Sequence, residues 1–505
     1  MIGSSIEGVK IVKVSEMASL EERACQRGAS ALAFMEKAGC SIAIEVERFV
    51  RGRQYPLLVT LLIGKGNNGG DAYVAGFHLM QRGFSVTALQ LVPAQECSPL
   101  SQQMHERFLC AGGKAYEVVE GAFSFPLLQG VLLDGLVGTG FRGKAEDMLA
   151  FVIKKANASF LPILSIDIPS GIDGNTGEVS SAIRATQTLY LGFPKLGCFL
   201  NEAWNYVGEL RPIDFGLRDK EVEEAKEIAF LTHQEELCKL LPPLKRTRHK
   251  YEAGYVLAIA GSISMAGAAL LSCSAALHSG AGVVRLFHPF GMELGNAPHE
   301  LIKEAWDGKE MGSLHHEIAR AKVVLIGPGM GRTKEVERSL NRLFKEIPLP
   351  LVLDADALFF LKAHPSWVFP AGTVLTPHRG EIHLILGELG GFSLEERCQA
   401  YVEAKRVTLI LKGAVTWIFH PHTSPLINVR GDPGLATAGA GDVLAGIVAA
   451  LIAQGLSSRV AAALAVHLHA VAGEKAARAL TSYCVTASSL LDFLPDAFLE
   501  AKGIA

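Results

Sequence analysis

The stretch LLVTLLIGKGNNGGD (Leu57 to Asp71) decides the fold of the first half of this chain. Its apolar run predicts a buried strand, and the glycine-rich turn that follows predicts the start of a helix. A strand that is apolar along its whole length is typical of a parallel sheet covered by helices on both faces. VLLDGLVGTG (Val131 to Gly140) and ILSIDIPSG (Ile163 to Gly171) repeat the pattern. We therefore expect an α/β fold whose polar loops gather at the carboxyl ends of the strands.

The second half of the chain restarts this alternation of strands and helices. Further buried strands that end in turns are predicted by YVLAIAGS (Tyr255 to Ser262), KVVLIGPGMG (Lys322 to Gly331), LPLVLDADAL (Leu349 to Leu358) and VTLILKGAVT (Val407 to Thr416). We expect a second α/β domain with its own sheet.

A change of composition separates the two halves. The charged segment Asp219 to Glu227 is followed by the Pro-rich, basic segment Leu241 to Lys250. Because a chain of 505 residues is too long for one hydrophobic core, two domains are expected. We place the boundary near Ala225 to Thr232 and predict domains over residues 1–225 and 226–505.

Composition excludes several classes of function. The formal net charge of −3 provides no basic surface for nucleic acid or for an anionic membrane. The nine cysteines include no C-x-x-C pair, so neither a disulfide framework nor a zinc site is expected. The best candidate for a membrane span, Val443 to Leu456, is too short and predicts a buried helix. No secretory signal is visible, so we expect a cytoplasmic protein.

Three polar loops follow the strands of the first half. NNGGD (Asn67 to Asp71) predicts a helix N-terminus whose free N–H groups suit a phosphate, although ordinary helix caps use the same residues. Asp134 precedes a second glycine-rich loop, and Asp167 and Ser170 follow the next strand. Any one of these acids could be a cap, but three such loops at one sheet edge indicate a site. The oxygen atoms of Asn68, Asp134 and Ser170 would suit a hard cation rather than zinc.

In identity, order and spacing, these residues resemble the NAD(P)HX epimerase (YjeF N-terminal) family, whose substrate is a hydrated reduced dinucleotide. The resemblance implies a Rossmann-like three-layer α/β domain that interconverts the R and S epimers. It implies that Asp167 is the catalytic acid and base at the damaged nicotinamide ring, and that Asn68, Asp134 and Ser170 bind K⁺. The implied substrate-binding residues are Asn67, Asn68, Gly69, Gly70, Asp71, Gly138, Thr139, Gly140, Phe141, Arg142, Gly143, Lys144 and Asp167. Ala72 departs from the family pattern, in which glycine is common.

The second half carries a different set of motifs. AGAGD places Asp442 at a helix N-terminus, where backbone N–H groups can stabilise phosphoryl charge and the carboxylate can accept a proton. An ordinary capped helix would have the same pattern. TPHRGE puts His378 at a strand end, where a lone histidine is more often structural. KGAVT (Lys412 to Thr416) could be a simple turn, and DADAL (Asp354 to Leu358) could bind a cation or cap a helix.

Together, these motifs look like the ADP-dependent NAD(P)H-hydrate dehydratase family, which has a ribokinase-like α/β fold. The resemblance runs from about His249 to about Leu490. It implies that Asp442 is catalytic, that ADP is the co-substrate and that Mg²⁺ accompanies its phosphates. The implied substrate-binding residues are Ala268, Gly329, His378 and Asp442, and the implied nucleotide-binding residues are Lys412, Gly413, Ala414, Val415, Thr416 and Gly441.

The two resemblances together imply a bifunctional repair enzyme and a homo-oligomer. The first half would supply the S epimer, and the second would return it to NAD(P)H while ADP becomes AMP and phosphate. Two alternatives stay open. One is a small-molecule kinase, because the ribokinase-like fold does not fix function. The other is a first half that only binds a partner, although the joint presence of Asn68, Asp134, Asp167 and Ser170 argues against it.

Overall fold

The computed structural model describes residues 6–118 and 130–504. Its contacts divide the chain into two compact units, one of residues 10–228 and one that runs from Ala229 onward and includes residues 6–9. The division predicted from composition lies after residue 225. The backbone N–H of His233 donates to the carbonyl oxygen of Ile6 at 2.9 Å, a pairing distant in sequence that composition does not reveal. Strand β1 (Glu7–Ile11) therefore crosses the division.

The first unit is built on a parallel sheet with the strand order β4-β3-β2-β5-β6-β7-β8. Its strands are β2 (Leu58–Ile63), β3 (Ser85–Gln90), β4 (Lys114–Glu117), β5 (Val131–Gly135), β6 (Ile163–Ile166), β7 (Gln187–Leu191) and β8 (Glu209–Ile213). Its helices are α1 (Val14–Gln26), α2 (Ala31–Gly52), α3 (Asn67–Gln81), α4 (Pro99–Cys110), α5 (Asp147–Ala158), α6 (Trp204–Val207) and α7 (Asp219–Glu224).

Alternate residues of the buried strands face two separate cores. Leu61 and Ile63 of β2 pack with helices α1 to α4, whereas Leu62 packs with α5. Because successive side chains of a strand point to opposite faces, both faces of the sheet are covered. The expected three-layer arrangement is confirmed.

The second unit contains a larger sheet with the order β1-β9-β18-β17-β16-β15-β14-β13-β10-β11-β12. Its strands β9 to β18 are β9 (Ala229–Thr232), β10 (Tyr255–Ile259), β11 (Val283–Pro289), β12 (Ile302–Trp306), β13 (Val323–Ile326), β14 (Leu351–Leu353), β15 (Val374–Leu375), β16 (Thr408–Leu411), β17 (Thr416–Phe419) and β18 (Leu426–Asn428). Pairing is parallel from β12 to β16 and antiparallel on both sides of β17.

Ten helices are described in this unit: α8 (Gln234–Cys238), α9 (Ala266–His278), α10 (Gly312–Ile318), α11 (Lys334–Glu346), α12 (Asp356–Phe359), α13 (Arg379–Leu386), α14 (Leu394–Lys405), α15 (Ala440–Ala453), α16 (Ser458–Leu480) and α17 (Ala487–Ala501). Helices α9 and α15 pack so closely at Gly446 that a Cβ added there would lie 2.1 Å from the carbonyl oxygen of Ser272. Helix α15 is the buried helix predicted over Val443 to Leu456. None of the described helices is long and apolar enough to cross a membrane.

Candidate active sites

A cleft of about 610 Å³ opens at the carboxyl edge of the first sheet. Nine of the residues predicted from sequence line it: Asn67, Asn68, Asp71, Gly138, Thr139, Gly140, Phe141, Arg142 and Asp167. The predicted residues Gly69, Gly70, Asp134, Gly143, Lys144 and Ser170 are not part of this lining. The three loops that follow β2, β5 and β6 thus meet at one edge.

The glycines of NNGGD allow close packing. A Cβ on Gly69 would lie 2.5 Å from the carbonyl oxygen of Gly64, and one on Gly70 would lie 2.7 Å from the Met35 methyl carbon. Their small size lets helix α3 approach strand β2 and helix α2. Ala72 is buried within α3, so replacing the usual glycine there introduces no left-handed backbone.

A buried hydrogen-bond network surrounds Asp134. Its carboxylate accepts from the hydroxyl groups of Ser165 at 2.8 Å and Ser170 at 2.6 Å, and from the backbone N–H groups of Ser170 and Leu136. The Ser170 hydroxyl oxygen also accepts from the N–H of Val137 at 3.0 Å. Burial raises the pKa of Asp134, and these hydrogen bonds oppose the rise. The network fixes the loop after β5 against the loop after β6.

The oxygen atoms at this network fit the chemistry of a hard cation. A Cβ on Gly138 would lie 3.4 Å from the Asn68 side-chain oxygen, so Asn68 reaches the same loop as the Asp134–Ser170 pair. Carboxylate, amide and hydroxyl oxygens are suitable ligands for such ions. No group of three His, Cys, Asp or Glu side chains able to hold a metal is found in residues 6–118 and 130–504.

Asp167 is paired with a lysine that the sequence reasoning missed. Lys195 follows β7 and is fully buried, and its ammonium group contacts the Asp167 carboxylate. The ammonium also donates to the carbonyl oxygen of Leu191 at 2.9 Å, while the Leu191 N–H donates to Asp167 at 3.0 Å. Asp167 has a φ of 67°, a left-handed conformation that is uncommon outside glycine. The lysine in the otherwise apolar segment LGFPKLGCF was the available sequence signal.

Two further carboxyl groups share the cleft with Asp167. Asp71 is 7% exposed, and burial, together with the negative charges of Asp167 and Glu21, raises its pKa well above the usual range. Glu21 on helix α1 was also missed by the sequence reasoning. Its side chain is open to solvent, but partial desolvation and the charge of Asp167 still raise its pKa. The cleft therefore combines one buried ion pair with two carboxyl groups whose pKa values are raised.

A second polar cluster lies at the carboxyl edge of the larger sheet, around the start of α15. Asp442 stands in the first turn of this helix behind Gly439, which adopts the left-handed conformation with a φ of 91°. Burial, the negative charges of Asp354, Asp356 and Glu381, and an opposing effect of Lys412 bring the pKa of Asp442 to about 7. A carboxyl group of this kind is suited to general base catalysis near neutral pH.

Lys412 joins two of the predicted motifs. Its ammonium donates to Asp354 at 2.8 Å, and a Cβ on Gly441 would lie 3.1 Å from its nitrogen. Burial lowers the pKa of Lys412, but the charges of Asp354 and Glu381 outweigh this effect and leave it raised. The ammonium thus faces the glycine-rich turn where a phosphoryl group would develop charge. Gly413, Ala414 and Val415 form the turn between β16 and β17, and Thr416 starts β17.

His378 is the N-cap of helix α13. Its Nδ1 accepts from the N–H of Glu381 at 3.2 Å, and the Glu381 carboxylate accepts from the N–H of His378 at 2.8 Å. This capping box is a structural role, and the imidazole remains exposed, with Nε2 3.6 Å from the Glu381 carboxylate. An isolated bridge pairs His378 with Lys412, so the cap lies beside the Asp442 cluster.

Ala268 and Gly329 lie next to each other. A Cβ on Gly329, whose φ is 65°, would approach the Ala268 methyl group to 3.0 Å. Asp356 holds this loop, since its carboxylate accepts from the N–H of Gly331 and the guanidinium of Arg332, both at 2.8 Å. Within this motif, Asp354 therefore binds the ammonium of Lys412, and Asp356 holds the glycine-rich loop after β13.

The polar residues at the carboxyl edges of the two sheets define the class of this protein, which is a two-domain α/β enzyme that acts on nucleotides. The family described as NAD(P)H-hydrate dehydratase matches residues 256–496, and the family described as YjeF-related protein N-terminus matches residues 31–197.

Known proteins that contain both domains are similar to this chain over nearly its whole length. The bifunctional NAD(P)H-hydrate repair enzyme Nnr of Moorella thermoacetica is 33% identical over 508 residues, which covers 96% of each chain. The protein of the same name from Thermofilum pendens is 32% identical and covers 97% of this chain and 96% of its own. The chain belongs to the family of bifunctional NAD(P)H-hydrate repair enzymes.

A solved structure shows the same fold in the second unit. A ribokinase-like superfamily protein from Enterococcus faecalis is 27% identical, with a TM-score of 0.50, and covers 55% of this chain and 97% of its own. The expected ribokinase-like domain is confirmed.

Proposed function

We propose that the first unit interconverts the R and S epimers of hydrated NADH and NADPH, and that the second dehydrates the S epimer with ADP. The observation that carries this proposal is the Asp442 cluster, which sets a carboxyl group of pKa about 7 beside a lysine at a glycine-rich helix N-terminus. Family membership over nearly the whole chain supports both halves.

In the second unit, Asp442 takes the proton of the ring hydroxyl, and the resulting oxyanion attacks the terminal phosphorus of ADP. AMP leaves, and a phosphate ester remains on the ring. The lone pair of the ring nitrogen then expels inorganic phosphate and forms a carbon–nitrogen double bond. Loss of a proton from the neighbouring ring carbon restores the ring double bond. Lys412 and the N–H groups near Gly441 face the phosphoryl oxygens as their charge grows. Mg²⁺ would neutralise the phosphates of the bound nucleotide.

In the first unit, the cleft binds the hydrate along the loops that begin at Asn67 and Gly138. Asp167 lies against the nicotinamide ring and carries out the acid–base chemistry there. A K⁺ ion held by Asn68, Asp134 and Ser170 would add fixed positive charge below the cleft. The hydroxyl leaves and returns to the same ring carbon, which changes its stereochemistry without consuming a co-substrate.

The direct test is recovery of the reduced-nicotinamide absorbance from a mixed preparation of R and S hydrate. We expect complete recovery with ADP and Mg²⁺ present. Asp442→Asn should abolish recovery altogether, and Asp167→Asn should limit it to the S fraction. Recovery that stops at the S fraction in the unaltered protein would make the first unit a binding module. A stable phosphorylated product from another acceptor, with no recovery, would make the second unit a kinase.

A homo-oligomer, expected from the family resemblance, belongs to the same proposal. Its mass in solution, measured by light scattering, tests it independently of activity.

A further inference from the structure

The cleft of the first unit contains two buried carboxyl groups in opposite surroundings. Asp167 contacts the ammonium of the fully buried Lys195 and accepts a hydrogen bond from the backbone. Asp71 is equally buried, yet within residues 6–118 and 130–504 its carboxyl group forms no hydrogen bond and no ion pair. An adjacent cation stabilises a carboxylate, whereas burial without a partner favours the neutral acid.

We propose that Lys195 divides these two groups into an ionised Asp167 and a neutral Asp71, and that Asp71 supplies the proton to the departing ring hydroxyl. The inference rests on the epimerase function proposed above and refines it. Asp71 becomes a catalytic residue, and Lys195 becomes a positioning residue that acts through Asp167. Two carboxyl groups with surroundings that separate their protonation states form an acid–base pair.

The chemistry balances without a further reactant. The Asp71 proton moves to the ring hydroxyl, the carbon–oxygen bond breaks with both electrons on oxygen, and water forms. The ring nitrogen lone pair makes a carbon–nitrogen double bond, which leaves a cation facing the Asp167 carboxylate. Water then adds to the other face of the same carbon, Asp167 takes its excess proton, and exchange with solvent returns one proton to Asp71 and ionises Asp167 again.

The neighbouring titratable groups agree with this division. Glu21 on α1 also faces the pair, but its side chain is open to solvent. Cys198, which follows Lys195 closely in sequence, is buried, and burial and the charge of Asp167 raise its pKa to about 12. The thiol therefore stays neutral and adds no charge to the cluster.

The experiment uses the full chain and purified R hydrate without ADP, so that only epimerisation occurs, and follows the S epimer by chromatography across pH. The rate of the unaltered protein should fall at high pH, as Asp71 loses the proton that it donates. Asp71→Asn should lower the rate at least about 100-fold, the usual loss for a general acid. Asp219→Asn, at the exposed first position of α7 and outside the lining of the cleft, is the matched control and should stay within a few-fold of the unaltered rate.

Lys195→Met tests the second part of the proposal. The epimerisation rate should fall, because the Asp167 carboxylate loses the ammonium group that it contacts. Lys195→Arg, which keeps a positive charge at this position, should restore part of the rate, whereas a role of Lys195 in packing alone would not depend on that charge. ADP-dependent dehydration of S hydrate by the same preparation shows that the variant chain is still folded in its second unit, and near-ultraviolet circular dichroism reports on the first.

Three results would overturn the inference: full activity of Asp71→Asn, an equal loss of activity in Asp219→Asn, or equal losses in Lys195→Met and Lys195→Arg. Failure of the proposed function is distinct from these, since it would appear as an unaltered protein that does not interconvert the epimers at all.

Discussion

Lowering the pH from 8 to 6 should slow dehydration of the S hydrate by an amount that follows from the pKa of Asp442. With a pKa of about 7 for Asp442, roughly nine tenths of the carboxyl group is ionised at pH 8 and roughly one tenth at pH 6. Because only the carboxylate can take the hydroxyl proton, kcat/KM with ADP should fall about tenfold over this range. The assay is the initial rate of absorbance recovery, corrected for a blank without enzyme.

Asp354→Asn sharpens this prediction. It removes a negative charge that raises the pKa of Asp442 and frees Lys412, which lowers it. Both effects act in the same direction, so the midpoint of the pH profile should move down by on the order of one unit, whatever happens to the maximal rate. Asp492→Asn, on the exposed side of α17, is the control and should leave the midpoint near 7. A profile that is flat between pH 6 and 8, or a midpoint that moves up in Asp354→Asn, would refute the reasoning.

Three other predictions follow from particular contacts. Gly64→Ala should abolish epimerisation and spare dehydration, because its Cβ would lie 1.6 Å from the Leu136 carbonyl oxygen; Gly52→Ala, with open space around it, should spare both rates. Ser170→Ala should raise the K⁺ concentration needed for half-maximal epimerisation. Ser165→Ala loses an equivalent hydrogen bond to Asp134 and should leave that concentration unchanged. Equal responses of the two variants would argue against a K⁺ site at Ser170. Burial lowers the pKa of His469 to about 4, so folding stability should decline as pH falls from about 6.5 toward 4, where the unfolded chain binds the extra proton. His469→Gln should weaken that decline in thermal melts, and an identical decline would assign the acid sensitivity to other groups.

The strands, the turns that follow them and the two domains could be predicted from sequence because their signals are local. LLVTLLIGKGNNGGD contains its own strand, turn and helix start, and β2 and α3 occupy those positions. The motif order was sufficient to indicate both families. The carboxylates Asp167 and Asp442 could be selected as candidates because each stands at the end of a recognisable element.

The sequence did not show which polar residues of the site contact one another. Lys195 lies 28 positions from Asp167, and nothing local to either residue indicates that they meet. The first strand pairs with β9, which lies beyond position 228, and composition does not reveal a pairing so distant in sequence. Burial and long-range pairing depend on how the chain closes on itself, because the dielectric surroundings of a carboxyl group are set by neighbours that are distant in sequence.

The sequence by itself determined the alternation of strands and helices, the order of the motifs and the family, since strand, turn and cap propensities act over a few residues. Only the tertiary structure decided which acids have a charged partner. Asp71 in α3 and Asp167 after β6 are the same residue type and both are buried. Asp71 has no hydrogen-bond or ion-pair partner among residues 6–118 and 130–504, whereas Asp167 contacts an ammonium group. That difference arises because folding brings β7 and the lysine after it against the loop that follows β6, and it gives chemically identical side chains different electrostatic surroundings.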